Sequence, residues 1–210
     1  MDIASLTRFV EESVNFLKQH PELSCSIVFL WAFLETALML GLFLPAEKVL
    51  IVASLLASKG TVSPLSFIAC GSIGTFLGYS VSYFFGILLG EEFLLRLLKR
   101  LKVSKKDFEK TKKFVEQKGE LSLVFGRFIP VVRPILPVVI GIFKPQFGKF
   151  TVYNGLGAVL WMTSYLLLGN LLEKLFSFII SHKAVSLVLS VILLALFVVW
   201  RKYGKNKELF

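Results

Sequence analysis

The chain of 210 residues is 55% hydrophobic and only 18% charged, with 21 phenylalanines and a mean hydropathy of +0.74. Soluble domains sit near roughly 45–50% apolar and about 25% charged residues, so an ordinary soluble domain is excluded and an integral membrane protein is indicated. The net charge of +10 does not mark a nucleic-acid binder, because lysine and arginine gather in "RLLKRLKVSKKDFEKTKKFVEQKGE" (96–120) and in "RKYGKNKELF" (201–210). Basic segments beside apolar spans are the signature of cytoplasmic loops and suit anionic lipid headgroups.

The start of the chain, "MDIASLTRFVEESVNFLKQH", lacks the basic start and apolar centre of a signal peptide, so the mature chain is expected to begin there. Ile3, Leu6, Val10 and Leu17 recur at helical spacing, which predicts an amphipathic helix lying in the membrane interface over 1–24. The next stretch, 25–58, is apolar but interrupted at "LPAEK", with Glu35 before Pro45 and Glu47 after it. An uncharged, glycine-rich span covers 64–90. It leads into the basic segment 91–120, where "SKKD" (104–107) reads as a helix start: Ser104 caps a free amide and Asp107 favours the positive end.

The stretch "GRFIPVVRPILPVVIGI" (126–142) carries Arg127, Arg133, Pro130, Pro134 and Pro137. An arginine at the bilayer centre costs roughly 2.5–3.5 kcal/mol on insertion scales. Each proline removes a helical hydrogen bond and clashes with the preceding turn. Irregular backbone at membrane depth is tolerated only where protein or a water-filled cavity surrounds it. Residues 25–58 and 121–143 therefore read as re-entrant helical hairpins broken at Pro45 and at Pro130, Pro134 and Pro137. A span at 149–171 follows, then a C-terminal segment, 176–210, with a crossing at 182–200 and the basic tail. Cys25 and Cys70 lie in apolar stretches without metal or redox spacing and read as inert packing residues. His20 and His182 are isolated, so neither a metal nor another cofactor is expected.

The chain also resembles itself. "ETALMLGLFLPAEK" (35–48) lies over "ELSLVFGRFIPVVR" (120–133) at a constant offset of 85, pairing Gly41 with Gly126 and Pro45 with Pro130. "FIACGSIGTFLGYSVSYFFG" (67–86) then pairs with "FTVYNGLGAVLWMTSYLLLG" (150–169), sharing Gly74/Gly157 and Gly86/Gly169. Two pairs in the same order predict an internal repeat, each unit a broken hairpin followed by a long helix. The expected fold is an all-α membrane protein, an inverted repeat of hairpin plus transmembrane helix with an extra C-terminal transmembrane helix. Two crossings separate the two basic regions, which puts both in the cytoplasm; the first hairpin then opens outward and the second inward. A full crossing by 25–43 is the alternative, and the first 24 residues do not decide it.

Glu35, Glu47, Lys48, Arg127 and Arg133 all fall in or beside the hairpins. Mutual neutralisation is the plain explanation, but buried pairs rarely repay their desolvation. Intramembrane ionisable groups more often mark substrate paths or proton relays. Arginine presents a planar fork suited to phosphate, whereas carboxylates titrate with their surroundings. Arg127 and Arg133 are thus candidate headgroup ligands and Glu35 and Glu47 candidate proton carriers. The proline breaks would let both guanidinium groups turn toward one cavity.

Across roughly residues 25–170 these features resemble the DedA family of membrane proteins, also described as SNARE-associated or VTT-domain proteins. The matching motifs are Glu35, "PAE" (45–47), "LLASKG" (55–60), "GTFLGYSVSYFFG" (74–86), "GRFIPVVRPILPVVIG" (126–141) and Trp161. Two positions depart from the pattern: many members have Gly-Asp where this chain has Gly78-Tyr79, and a basic residue where it has Ile87. The resemblance implies a multi-pass protein of the bacterial plasma (inner) membrane, since bacterial members are implicated in recycling undecaprenyl phosphate, in moving phospholipids and in proton-motive-force-dependent resistance. Eukaryotic relatives scramble phospholipids. It carries functional roles to Glu35, Glu47, Arg127 and Arg133.

The leading expectation is a flippase-like transporter of a lipid phosphate, such as undecaprenyl phosphate or a phospholipid, coupled to protons and not an enzyme. Its partners are an anionic lipid, protons and the bilayer, without nucleic acid, and homo-oligomerisation is left open. The alternatives are a proton-coupled small-molecule or ion antiporter and a non-transporting assembly factor. A lipid substrate requires a cavity open sideways to the bilayer, a small ion a closed aqueous path, and an assembly factor tightly paired charges without a cavity.

Overall fold

Residues 64–90 and 150–172 carry no charged side chain, and they build the two longest helices. The computed structural model describes residues 12, 15, 16, 19–38, 40, 46–100, 104–130 and 132–181. Pro45, most of the expected interfacial helix, the crossing at 182–200 and the basic tail lie outside them. The chain divides into two compact units, Met1–Asn170 and Leu171–Phe210; every contact below belongs to the first.

Among the described residues the regular structure is entirely helical. The helices are α1 (Ser24–Thr36), α2 (Ala46–Ser58), α3 (Pro64–Arg100), α4 (Lys105–Lys118), α5 (Ser122–Phe125), α6 (Leu136–Phe143) and α7 (Phe147–Ser181). At ~1.5 Å per residue, the 13 residues of α1 and of α2 reach ~20 Å, short of the ~30 Å hydrocarbon core. The helices α3 and α7 are long and apolar enough to cross it. Gly90 breaks α3 with a φ of 70°, a conformation that costs glycine little. Beyond the break, Lys112 of α4 donates to both carboxylate oxygens of Glu91 at 3.0 Å. Ser104 does cap α4, its hydroxyl accepting from the Lys106 amide at 3.1 Å.

The long helices run antiparallel. Tyr83 stacks on Phe150 with ring centroids 3.9 Å apart, and Asn154 donates to the Phe76 carbonyl at 3.1 Å. Helix α1 runs parallel to α3: Phe29 packs on Gly74, and Phe33 and Thr36 pack on Gly78. At its end Leu38 turns into the left-handed region with φ 49°, uncommon for a side chain of that bulk. Its amide donates to the Ser82 hydroxyl at 2.8 Å, and Ser82 donates to the Thr36 carbonyl at 3.0 Å. One α3 hydroxyl thereby satisfies both chain groups freed where α1 stops.

Two glycines allow an exchange of partners between the halves of the chain. Helix α6 packs on α3 at Gly86, where a Cβ would collide with the Val138 carbonyl; α2 packs on α7 at Gly169, where a Cβ would sit 2.6 Å from the Ser54 carbonyl oxygen. Gly86/Gly169 and Ser54/Val138 are related by offsets of 83 and 84, close to the sequence repeat. The apolar core forms two clusters, one around Val28, Leu50, Phe67 and Met162, the other around Tyr79, Phe108, Leu136 and Phe150. The outer faces of the long helices stay apolar: Leu65 is 76% exposed, Leu88 78% and Leu167 63%. In water such continuous faces would drive aggregation; in a bilayer they meet lipid.

The structure corrects the reading of the cysteines as inert. Cys25 and Cys70 form a disulfide with Cα atoms 5.4 Å apart, joining α1 to α3 across 45 residues of chain. The parallel packing of those helices, invisible in the spacing of the cysteines, brings the thiols together. Disulfides persist in oxidising compartments. Reduction, or Cys25→Ser, is expected to destabilise the detergent-solubilised protein by about 2–4 kcal/mol, read as a lower melting temperature. Equal melting curves with and without reductant would contradict a structural bond.

Candidate functional site

The turn at 132–135 brings Arg133 to α1 and α2. Its Nη2 lies 3.1 Å from Glu35 Oε1 and also pairs with Glu47. The two acids lie twelve residues apart in sequence, so α1 and α2 must fold back for both to reach one nitrogen. They meet it in different surroundings: the Glu35 side chain is 1% exposed, Glu47 54% and Arg133 12%. Despite the 3.1 Å approach, neither Glu35 oxygen accepts an aligned hydrogen bond among the described residues. A buried carboxylate is inexpensive only when both paired and hydrogen-bonded. Glu35 has the first without the second.

Arg127 sits deeper, 1% exposed. Its Nε donates to the Leu123 carbonyl at 3.2 Å and Nη1 to the Thr75 hydroxyl at 2.9 Å. Its Nη2 donates to Asn154 Oδ1, and Cζ lies 3.7 Å from the centre of the Tyr79 ring. Desolvated cation–π contacts of this kind contribute about 2 kcal/mol. Among the described residues no carboxylate forms an ion pair with Arg127; neutral groups from α3, α5 and α7 hold it. The Tyr79 hydroxyl reaches on to donate to the Arg133 carbonyl at 3.2 Å, so one side chain of α3 touches both arginine segments.

Above these groups lies an open cleft of about 410 Å³, bordered by Glu47, Arg127, Phe128, Arg133, Trp161 and Tyr165. Trp161 meets Phe128 and Tyr165 edge-on, each with centroids 5.1 Å apart, and the Arg133 guanidinium lies 5.2 Å from the Trp161 ring. The cleft combines one accessible guanidinium, a rim carboxylate and an aromatic wall.

Of the residues singled out in the sequence, Glu35, Glu47 and Arg133 come together. Arg127 borders the same cleft but spends its donors inside the protein. Pro130 and Pro134 fall in the turns between α5 and α6, while Pro137 lies in the first turn of α6, where the missing amide hydrogen costs little. Thr75 and Asn154 escaped the sequence reading, and Tyr79 entered it only as the residue standing where many family members have aspartate. Asn154 carried a usable signal, an amide in an uncharged membrane-length run; Thr75 carried none, because its role depends on which helix face meets Arg127.

Described residues that are regular only as helices, with apolar outer faces and ionisable groups held between them, define an integral membrane protein. The VTT domain family model matches residues 44–171, and the chain belongs to that family. The Escherichia coli (strain K12) protein DedA is 32% identical over 147 residues, 69% of this chain and 66% of its own length, just under two thirds. Undecaprenyl phosphate transporter A of Staphylococcus aureus is 27% identical over 86% of this chain and 91% of its own length. A Lactococcus lactis relative called alkaline phosphatase-like protein is 29% identical over 79% of this chain and 83% of its own. No solved structure matches the chain.

Asn154→Ala removes the side-chain acceptor of Arg127 Nη2 and leaves that buried nitrogen only the long bond to the residue 154 carbonyl, 3.4 Å in the parent. It is expected to lower stability by roughly 1–3 kcal/mol, measured as thermal unfolding in detergent. An unchanged melting temperature would mean that Arg127 is held by its other contacts alone.

Proposed function

We propose that this protein is a flippase-like transporter of the bacterial plasma membrane that moves a lipid phosphate between leaflets, with the phosphate bound at Arg133. The observation that carries this reading is Arg133 itself, set in an open cleft midway along the two long helices with an aromatic wall beside it. A planar guanidinium selects phosphate oxygens. Phe128, Trp161 and Tyr165 offer apolar surface to the first carbons of a lipid chain. The similarity to a protein named for undecaprenyl phosphate transport supports a polyprenyl phosphate as the substrate class.

In this reading α1 and α2 form a re-entrant hairpin, since neither is long enough to cross. The α5–α6 segment forms the second. The reciprocal packing of α6 on Gly86 and α2 on Gly169 supports an inverted repeat, whose site belongs near the midplane. The Cys25–Cys70 disulfide favours an orientation with the start of α1 and α3 on the oxidising side and α4 with its lysines toward the cytoplasm. Glu35, buried without an aligned hydrogen bond among the described residues, is the proton carrier: it ionises against Arg133 and accepts a proton when a phosphate dianion brings further negative charge to that arginine. The protein acts by transport and not by hydrolysis.

Arg133→Lys keeps the charge but loses the fork. It is expected to reduce lipid movement in reconstituted vesicles at least tenfold while expression stays normal; full activity would sink phosphate recognition at this residue. Glu35→Gln is expected to fold yet lose its response to an imposed pH gradient. A folded variant with undiminished gradient dependence would remove the proton coupling and leave passive scrambling.

A further inference from the structure

The two carboxylates on Arg133 are not equivalent, and the difference has a direction. Both meet the same nitrogen, Nη2, but Glu35 is enclosed whereas more than half of the Glu47 side chain faces outward at the rim of the cleft. We infer that Glu47 is an internal stand-in for the substrate anion: it occupies the phosphate seat on Arg133 and is displaced when a phosphate monoester enters. This rests on the reading that the cleft takes a lipid phosphate.

Magnitudes decide which acid leaves. An exposed ion pair contributes little, no more than about a fivefold factor, whereas removing one partner of a buried pair strands the other charge at a far larger cost. Glu35 therefore stays and Glu47 goes. Glu47 has somewhere to go, because it lies in the first turn of α2. A carboxylate is favoured at a helix N-terminus, and more than half of the Glu47 side chain is exposed there.

Charge balance points the same way. With Glu47 in place, Arg133 has two carboxylates against it. With Glu47 withdrawn only Glu35 remains, and because neutral groups hold Arg127 nearby, the cluster carries one net positive charge. A phosphate monoester brings about −1.5 to −2 charges at neutral pH, so it replaces one carboxylate charge and adds to it. A neutral headgroup cannot perform the exchange. Glu47 thus acts as a selectivity element, keeping Arg133 occupied against weak or uncharged ligands and yielding to a dianion.

The test is calorimetric titration of purified protein in nonionic detergent with decyl phosphate and, separately, with inorganic phosphate. Glu47→Gln is expected to bind decyl phosphate about fivefold more tightly than the parent, the gain from removing an internal competitor of that strength, at a melting temperature close to that of the parent. Arg133→Gln should abolish binding. Glu47→Asp, one methylene shorter, keeps the charge but loses reach; it should also bind more tightly, and it serves if the amide variant fails to fold. Equal or weaker binding by folded Glu47 variants overturns the inference and makes Glu47 a structural latch or a direct ligand. If neither the parent nor the variants bind either probe, the lipid-phosphate reading itself falls and takes this inference with it. Tighter variant binding of inorganic phosphate as strong as that of decyl phosphate upholds the exchange but names free phosphate as the ligand; tighter binding confined to decyl phosphate names the lipid.

Discussion

The structure turns on the need to neutralise and hold two guanidinium groups inside an apolar protein. Arg133 meets this need with carboxylates and Arg127 with neutral acceptors and an aromatic face. Neither solution is available within one helix. Arg133 draws α1 and α2 against the loop before α6, and Arg127 draws α3, α5 and α7 together. The packing of five helices thereby depends on two side chains that the hydrocarbon interior would otherwise reject.

Close backbone approach makes these meetings possible. Gly74 and Gly78 let α1 lie against α3 deeply enough for Glu35 to reach the interior. Gly157 lets the Leu123 carbonyl come within 2.6 Å of where a Cβ would sit, which seats the Arg127 segment on α7. Side-chain hydroxyls then satisfy the chain groups that short helices leave open, as Ser82 does for Thr36 and Leu38. Small residues and hydroxyls are the usual means of helix association in lipid, where no hydrophobic force drives apolar helices together.

The two arginines are held in different ways. Arg127 is enclosed, and its donors go to the Leu123 carbonyl, the Thr75 hydroxyl and Asn154. Arg133 is held by one enclosed acid and one exposed acid. Tyr79 spans both, stacked on one guanidinium and donating to the backbone of the other arginine.

The sequence by itself determined the membrane setting, the two long helices, the interrupted segments and the identity of the charged residues, because hydropathy and proline act locally along the chain. It also carried the family resemblance, in which Glu35, Glu47, Arg127 and Arg133 stand out as charges without a local reason. Only the tertiary structure decided their pairing. Two acids twelve residues apart share one nitrogen because α1 and α2 fold back together, and among the described residues Arg127 pairs with no acid, being held by Thr75, Asn154 and Tyr79 instead. The Cys25–Cys70 bond was hidden for the same reason: a spacing of 45 residues becomes a contact only once α1 runs parallel to α3, and glycine contacts that no periodicity reveals set that packing.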